Sequence, residues 1–147
     1  MADFTLRATT SLSYEEAVLS VRELLDEAGF GVLTEIDIKA TLKKKLDVDV
    51  QPQIILGACR PQLAHLALLA EPAIAALLPC NVVVRGLEDG GSVVEAIDPD
   101  VMMSVAGVTD QQAAEALREV AADARDRLSK ALDQMPGTDA ATSEGAR

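Results

Sequence analysis

Asn81-Val82-Val83-Val84-Arg85 and Ser92-Val93-Val94-Glu95-Ala96-Ile97 stand on either side of Asp89-Gly90-Gly91. Two β-branched runs joined by turn-forming residues read as a β-hairpin, and Asp98-Pro99 ends it. A hairpin requires a sheet that is at least partly antiparallel. That reading decides the fold class, and the rest of the chain is placed around it.

Upstream, Gln53 to Cys59 contains Ile54-Ile55-Leu56, apolar on both faces as a central strand would be. Pro61 suits the first position of a helix running to Ala70. Glu71-Pro72 interrupts it, and Ala73 to Leu78 adds a further helical turn or two that Pro79 closes. Gly31 to Ile36 reads as another strand, followed by a short helix from Ile38 to Leu46. Near the start, Phe4, Leu6 and Ala8 alternate with polar residues, the pattern of a half-buried strand. Ser13 and Glu16 form a capping box, Ala17, Val18, Val21, Leu24, Leu25 and Ala28 follow at helical spacing, and Gly29 supplies a left-handed cap.

Downstream, Thr109 with Gln112 is expected to cap a long helix. It carries Leu117, Val120, Ala121, Ala124, Leu128, Ala131, Leu132 and Met135 on one face. From Pro136 the chain is small and polar. Residues 1–135 therefore read as one α+β domain and 136–147 as a flexible tail. The expected architecture is a single, mainly antiparallel sheet with helices packed on one face. Its other face needs a cover, and self-association is one way to supply it.

Composition narrows the function classes. Of 147 residues, 13 are Lys or Arg and 24 are Asp or Glu, a net charge of −11. Such a field repels nucleic-acid phosphates and anionic membrane surfaces. Aromatic residues make up 2% of the chain, too few for base-stacking platforms. The beginning of the sequence has no apolar stretch of the secretory kind, and the longest charge-free run, Pro72 to Val84, is too short to span a bilayer. The chain is expected to be cytoplasmic, with Cys59 and Cys80 as reduced thiols. Lys39, Lys43, Lys44 and Lys45 form the one basic patch, either a solvated helix face or an anion site.

Gly29-Phe30-Gly31 follows a helix and precedes a strand, the reverse of a dinucleotide loop. His65 is the only histidine, which excludes any multi-histidine metal site. The stretch Cys59-Arg60-Pro61 has more chemical content. A thiol at a strand end, two residues before a helix start and beside Arg60, feels a positive field that lowers its pKa. His65 lies one turn into that helix. Against this stands the ordinary role of free cysteines as small buried hydrophobes. Glu35 and Asp37, at alternate strand positions, face one side together and default to solvated carboxylates.

Four stretches taken together resemble one family. They are Gly29-Phe30-Gly31-Val32 with Glu35-Ile36-Asp37, then Cys59-Arg60-Pro61-Gln62-Leu63-Ala64-His65, then Leu78-Pro79-Cys80-Asn81-Val82-Val83-Val84, and last Asp98-Pro99. In order and spacing they are similar to the blocks of the domain of unknown function 302 family. The resemblance implies a TBP-like α+β fold with a curved antiparallel sheet, and a homodimer. It does not imply DNA binding, and it carries no assigned reaction. The family's recurring positions fall here on Glu35, Asp37, Cys59, Pro61, Pro79, Cys80, Asp98 and Pro99. Where the family commonly has Asn between Cys and Pro, this chain has Arg60, a poor helix cap. Either the cap is lost, or Arg60 pairs with Glu35 or with an anion.

Two function classes follow. The first is a homodimeric module that binds a small ligand or a soft metal in a cleft near Cys59, with Cys80, Glu35, Asp37, Arg60 and His65 nearby. Cys59, Cys80 and His65 are the candidate metal ligands. A thiol-dependent enzyme or redox protein built on Cys59 is its chemical variant. The second class is an interaction protein without chemistry of its own, presenting its acidic surface or long C-terminal helix to a partner.

Overall fold

The computed structural model describes residues 3–137. The element order is β1 (Thr5–Thr10), α1 (Tyr14–Glu27), β2 (Gly31–Asp37), α2 (Ile38–Leu46), β3 (Gln53–Cys59), α3 (Pro61–Ala70), a 3₁₀ helix (Pro72–Leu77), β4 (Cys80–Gly86), β5 (Ser92–Ile97), α4 (Pro99–Ala106) and α5 (Gln111–Asp133). The strands form one open sheet in the order β1-β5-β4-β3-β2, with every neighbouring pair antiparallel. This is the α+β arrangement that the hairpin predicts.

The hairpin pairs Val82 with Ala96 and Val84 with Val94. Its loop closes through Leu87 N–H donating to the Gly91 carbonyl at 2.8 Å and Gly90 N–H to the Leu87 carbonyl at 3.1 Å. Gly90 has φ +92°, a conformation that side chains resist.

Period-two alternation decides which residues are core. Leu6 and Ala8 of β1, Ile54, Leu56 and Ala58 of β3, Val82 and Val84 of β4, and Val94 and Ala96 of β5 form one buried cluster. Ala17, Val21 and Leu25 of α1 and Ala124, Leu128 and Leu132 of α5 complete it. α1 starts as expected, with Ser13 Oγ accepting from Glu16 N–H at 3.2 Å. It ends in a Schellman motif, in which Gly29 N–H donates to the Asp26 carbonyl and Phe30 N–H to that of Leu25.

α5 has 23 residues and is about 35 Å long. Its C-terminal part covers the sheet. Toward its start, Leu117 joins a second cluster with Ala67 of α3 and Ile74 of the 3₁₀ helix, and Met103 and Ala106 of α4 pack against it. One helix thus ties two clusters together.

Three sequence expectations need correction or extension. Asp98-Pro99 ends β5, but it also begins α4, because Asp98 accepts from Asp100 N–H at 2.9 Å and Pro99 fits a first helical turn. The cap of α5 is Asp110, accepting from Ala113 N–H at 2.9 Å, not Thr109. Of the expected flexible tail, residues 136 and 137 sit against the end of β1. Thr10 Oγ1 donates to the Pro136 carbonyl, and a Cβ on Gly137 would meet Ser11 Oγ at 2.8 Å. The remainder, from 138, lies outside the described residues. No helix among the described residues is long and apolar enough to cross a membrane.

Candidate functional site

β3 ends at Cys59 and β4 begins at Cys80, and the register places Ala58 opposite Cys80. Both cysteines are free thiols and both line one apolar cavity of about 50 Å³, together with Phe30, Leu63, Ala67 and Val120. Folding therefore brings together two residues that are 21 positions apart in sequence.

Their chemistry is the reverse of the sequence expectation. Burial pushes the half-buried Cys59 thiol above its ordinary value. Cys80, 9% exposed, is pushed up to about 11, first by burial and then by the neighbouring Cys59. Apolar burial acts against the thiolate that the helix start would favour. Arg60 lines the same cavity as the two thiols. Its guanidinium donates to Gln62 Oε1 at 3.1 Å and lies over Gly29, where a Cβ would meet Nη1 at 3.1 Å. α3 has no side-chain cap, and Glu35 pairs with Arg22 rather than with Arg60. Pro61 at the first position softens the lack of a cap, since it has no N–H to satisfy.

The other candidates lie elsewhere. Glu35 pairs in register with Leu56 and Asp37 with Ile54, so both face the helix-covered side, as the alternation predicts. There they have structural partners. Glu35 forms an ion pair with Arg22 of α1, and Asp37 caps α2 by accepting from Ala40 N–H at 2.9 Å. Burial first, and the charge of Asp37 next, raise the pKa of the nearby Tyr14 phenol. His65 is exposed on α3 and does not line the thiol cavity. Among the described residues no three His, Cys, Asp or Glu side chains come close enough to hold a metal ion. Cys59, Cys80 and His65 are thus not assembled as a ligand set. In the basic patch, Lys43 pairs with Asp47 at 2.8 Å and Asp49 at 3.5 Å, and Lys39 donates to the Val50 carbonyl at 2.9 Å.

Sequence reasoning missed the larger feature. On the face of the sheet away from α1 and α5 lies a cleft of about 680 Å³. Thr5, Gln53, Asn81, Val83, Arg85, Glu95 and Ile97 line its strand side. Phe4, Leu77, Leu78, Pro79 and Met102 form its apolar walls. On its floor Arg85 Nη1 meets Glu95 Oε1 at 3.0 Å, and Thr5 Oγ1 donates to Glu95 Oε2 at 3.3 Å. Ligand pockets typically measure about 300–1,000 Å³, with apolar walls and a few convergent polar groups. A signal for the floor was present, since Asn81, Val83, Arg85, Glu95 and Ile97 alternate with core residues. The walls come from the 3₁₀ helix and the unforeseen α4.

The architecture has known counterparts. A crystal structure of an uncharacterized conserved DUF302 protein from Bacillus stearothermophilus superposes with a TM-score of 0.78 and 30% sequence identity, over 90% of this chain and 98% of the other. No curated protein matches the chain. The family model described as "Domain of unknown function DUF302" matches residues 6–135, which include every strand but the first residue of β1, and the whole of α5. The chain belongs to the DUF302 family.

Proposed function

We propose that the chain is a small-ligand-binding module and that its ligand seat is the cleft on the open face of the sheet. The observation that carries this is the cleft itself, about 680 Å³ with apolar walls around the Arg85–Glu95 pair. The cysteine cavity, about 50 Å³, has room for a few waters at most. Its thiols, held protonated by burial, are poor nucleophiles and poor metal ligands near neutral pH. The binding class expected from sequence is retained, with the seat moved from Cys59 to the open face.

Nile red, a neutral dye that brightens in apolar surroundings, tests this. The native protein is expected to bind it saturably, and Val83→Phe, which fills the cleft, is expected to abolish binding with an unchanged far-UV circular dichroism spectrum. Absence of saturable binding by the native protein overturns the proposal.

A second reading, self-association, rests on a separate observation. α2 buries none of its nine residues. Helices this short are marginal in water without tertiary support. Beside it, Leu33 is 65%, Ile36 48% and Leu46 66% exposed. The stretch Lys43-Lys44-Lys45-Leu46-Asp47-Val48-Asp49 carries both charge signs around apolar residues. A two-fold interface needs a patch complementary to itself, and in the contact we propose Lys44 and Lys45 of one copy face Asp49 of the other. We therefore place the proposed homodimer contact at β2 and α2.

A further inference from the structure

We propose that the open-face cleft takes an amphipathic monocarboxylate, with its head group on Arg85 and its hydrocarbon body against Phe4, Leu77, Leu78 and Met102. This rests on the binding reading above and names the ligand class for the same site.

The polar chemistry of the floor is one-sided. Glu95 has both carboxylate oxygens engaged, Oε1 by Arg85 and Oε2 by the Thr5 hydroxyl, and its side chain is 16% exposed. Arg85 is 35% exposed and, among the described residues, is the one cation lining the cleft, with Arg7 standing across from Glu95 on the same face. A guanidinium carries five N–H donors in a planar fork, and one carboxylate takes up a minority of them. Gln53 and Asn81 line the same floor, with amides that can donate as well as accept. The floor therefore presents surplus donors, and the complementary ligand group is an acceptor whose two oxygens match the planar fork.

The walls set the rest of the molecule. Leu, Met and Phe side chains adapt to a flexible hydrocarbon and offer it no hydrogen bonds. Each methylene buried there raises affinity by roughly fourfold. The whole-chain charge of −11 disfavours ligands carrying several negative charges and penalises a single one least. One carboxylate on an apolar body satisfies all three conditions.

The Nile red complex is the readout, with octanoate, octan-1-ol and octylammonium as displacing probes of equal length. Octanoate is expected to displace the dye at least 10-fold more strongly than octan-1-ol, with octylammonium weakest, and decanoate to exceed octanoate. Arg85→Gln is expected to erase the advantage of octanoate over octan-1-ol. Glu95→Gln, which removes the competing carboxylate without removing the cation, is expected to increase it, so the proposal stays testable if the Arg85 variant fails to fold. Equal displacement by all three probes, or preference for octylammonium, overturns the carboxylate class and leaves the binding reading standing. Failure of the native protein to bind Nile red or any probe overturns both.

Discussion

A Cβ placed on Gly57 would meet Pro79 Cγ at 2.9 Å and would lie closer still to the Thr34 hydroxyl. Thr34 and Pro79 close over this point of β3, and glycine is the residue that lets them. Gly57→Ala is expected to cost about 1–3 kcal/mol by overpacking, read as a lower urea midpoint, with partial recovery in a Gly57→Ala/Thr34→Ala double variant. The two thiols give a second expectation. Cys80 loses its proton near 9.0 when unfolded but near 11 when folded. The unfolded state therefore sheds the proton first, and stability is complete below pH 9 and falls as pH rises from 9 to 11. The loss over that interval is about 2–3 kcal/mol, absent in Cys80→Ala, and denaturant titrations across the range measure it. Cys59 is expected to react with a thiol probe at pH 7.5 more slowly than a free thiol does. Faster reaction would restore the helix-start thiolate. Residue-level legibility follows from range. Ser13, Gly29 and Pro61 act on neighbours within a few positions, so sequence alone reveals them. The pKa values of Cys59 and Cys80 depend on Phe30, Leu63 and Val120, which only folding brings near.

At the scale of elements, α5 links the sheet to the second cluster, so it belongs to the core. A chain ending before Thr109 is expected to lose cooperative unfolding and to aggregate, as judged by calorimetry and light scattering. Leu128→Ala, at a nearly inaccessible position facing the sheet, is expected to cost about 2–5 kcal/mol in chemical denaturation. The 3.6-residue spacing of Leu117, Ala121, Ala124, Leu128 and Leu132 made this helix readable. α4 was hidden for a specific reason. Asp-Pro both stops a strand and starts a helix, and after a strong β-hairpin the stop masks the start. β2 was readable as a strand from its β-branched residues, although its bulge between Val32 and Thr34 was not.

At the scale of the whole molecule, the hairpin carried the antiparallel class, but nothing local told that β1 joins β5 or that the open face is walled into a cleft. Those facts belong to pairings between residues far apart in sequence, such as Leu6 with Ala96. The proposed two-fold contact is tested at this scale as well. Sedimentation equilibrium is expected to show dimers for the native chain and a weakened association for Lys44→Glu/Lys45→Glu and for Asp49→Lys. Mixing the two variants is expected to restore dimers by pairing opposite charges. Native dimers unaffected by either change would move the interface elsewhere, and a native monomer would end the homodimer reading.

The β1–β5 pairing also constrains how the chain is made. Residues 5–10 leave the ribosome before residues 92–97, which are their one strand neighbour among the described residues. The helix that seals the same sheet follows at 111–133. Through most of synthesis β1 and α1 have an incomplete core beneath them, and vectorial folding from the amino end is denied to this topology. The first strand cannot complete its pairing until residues 92–97 have emerged, so closure of the sheet is a late, long-range event.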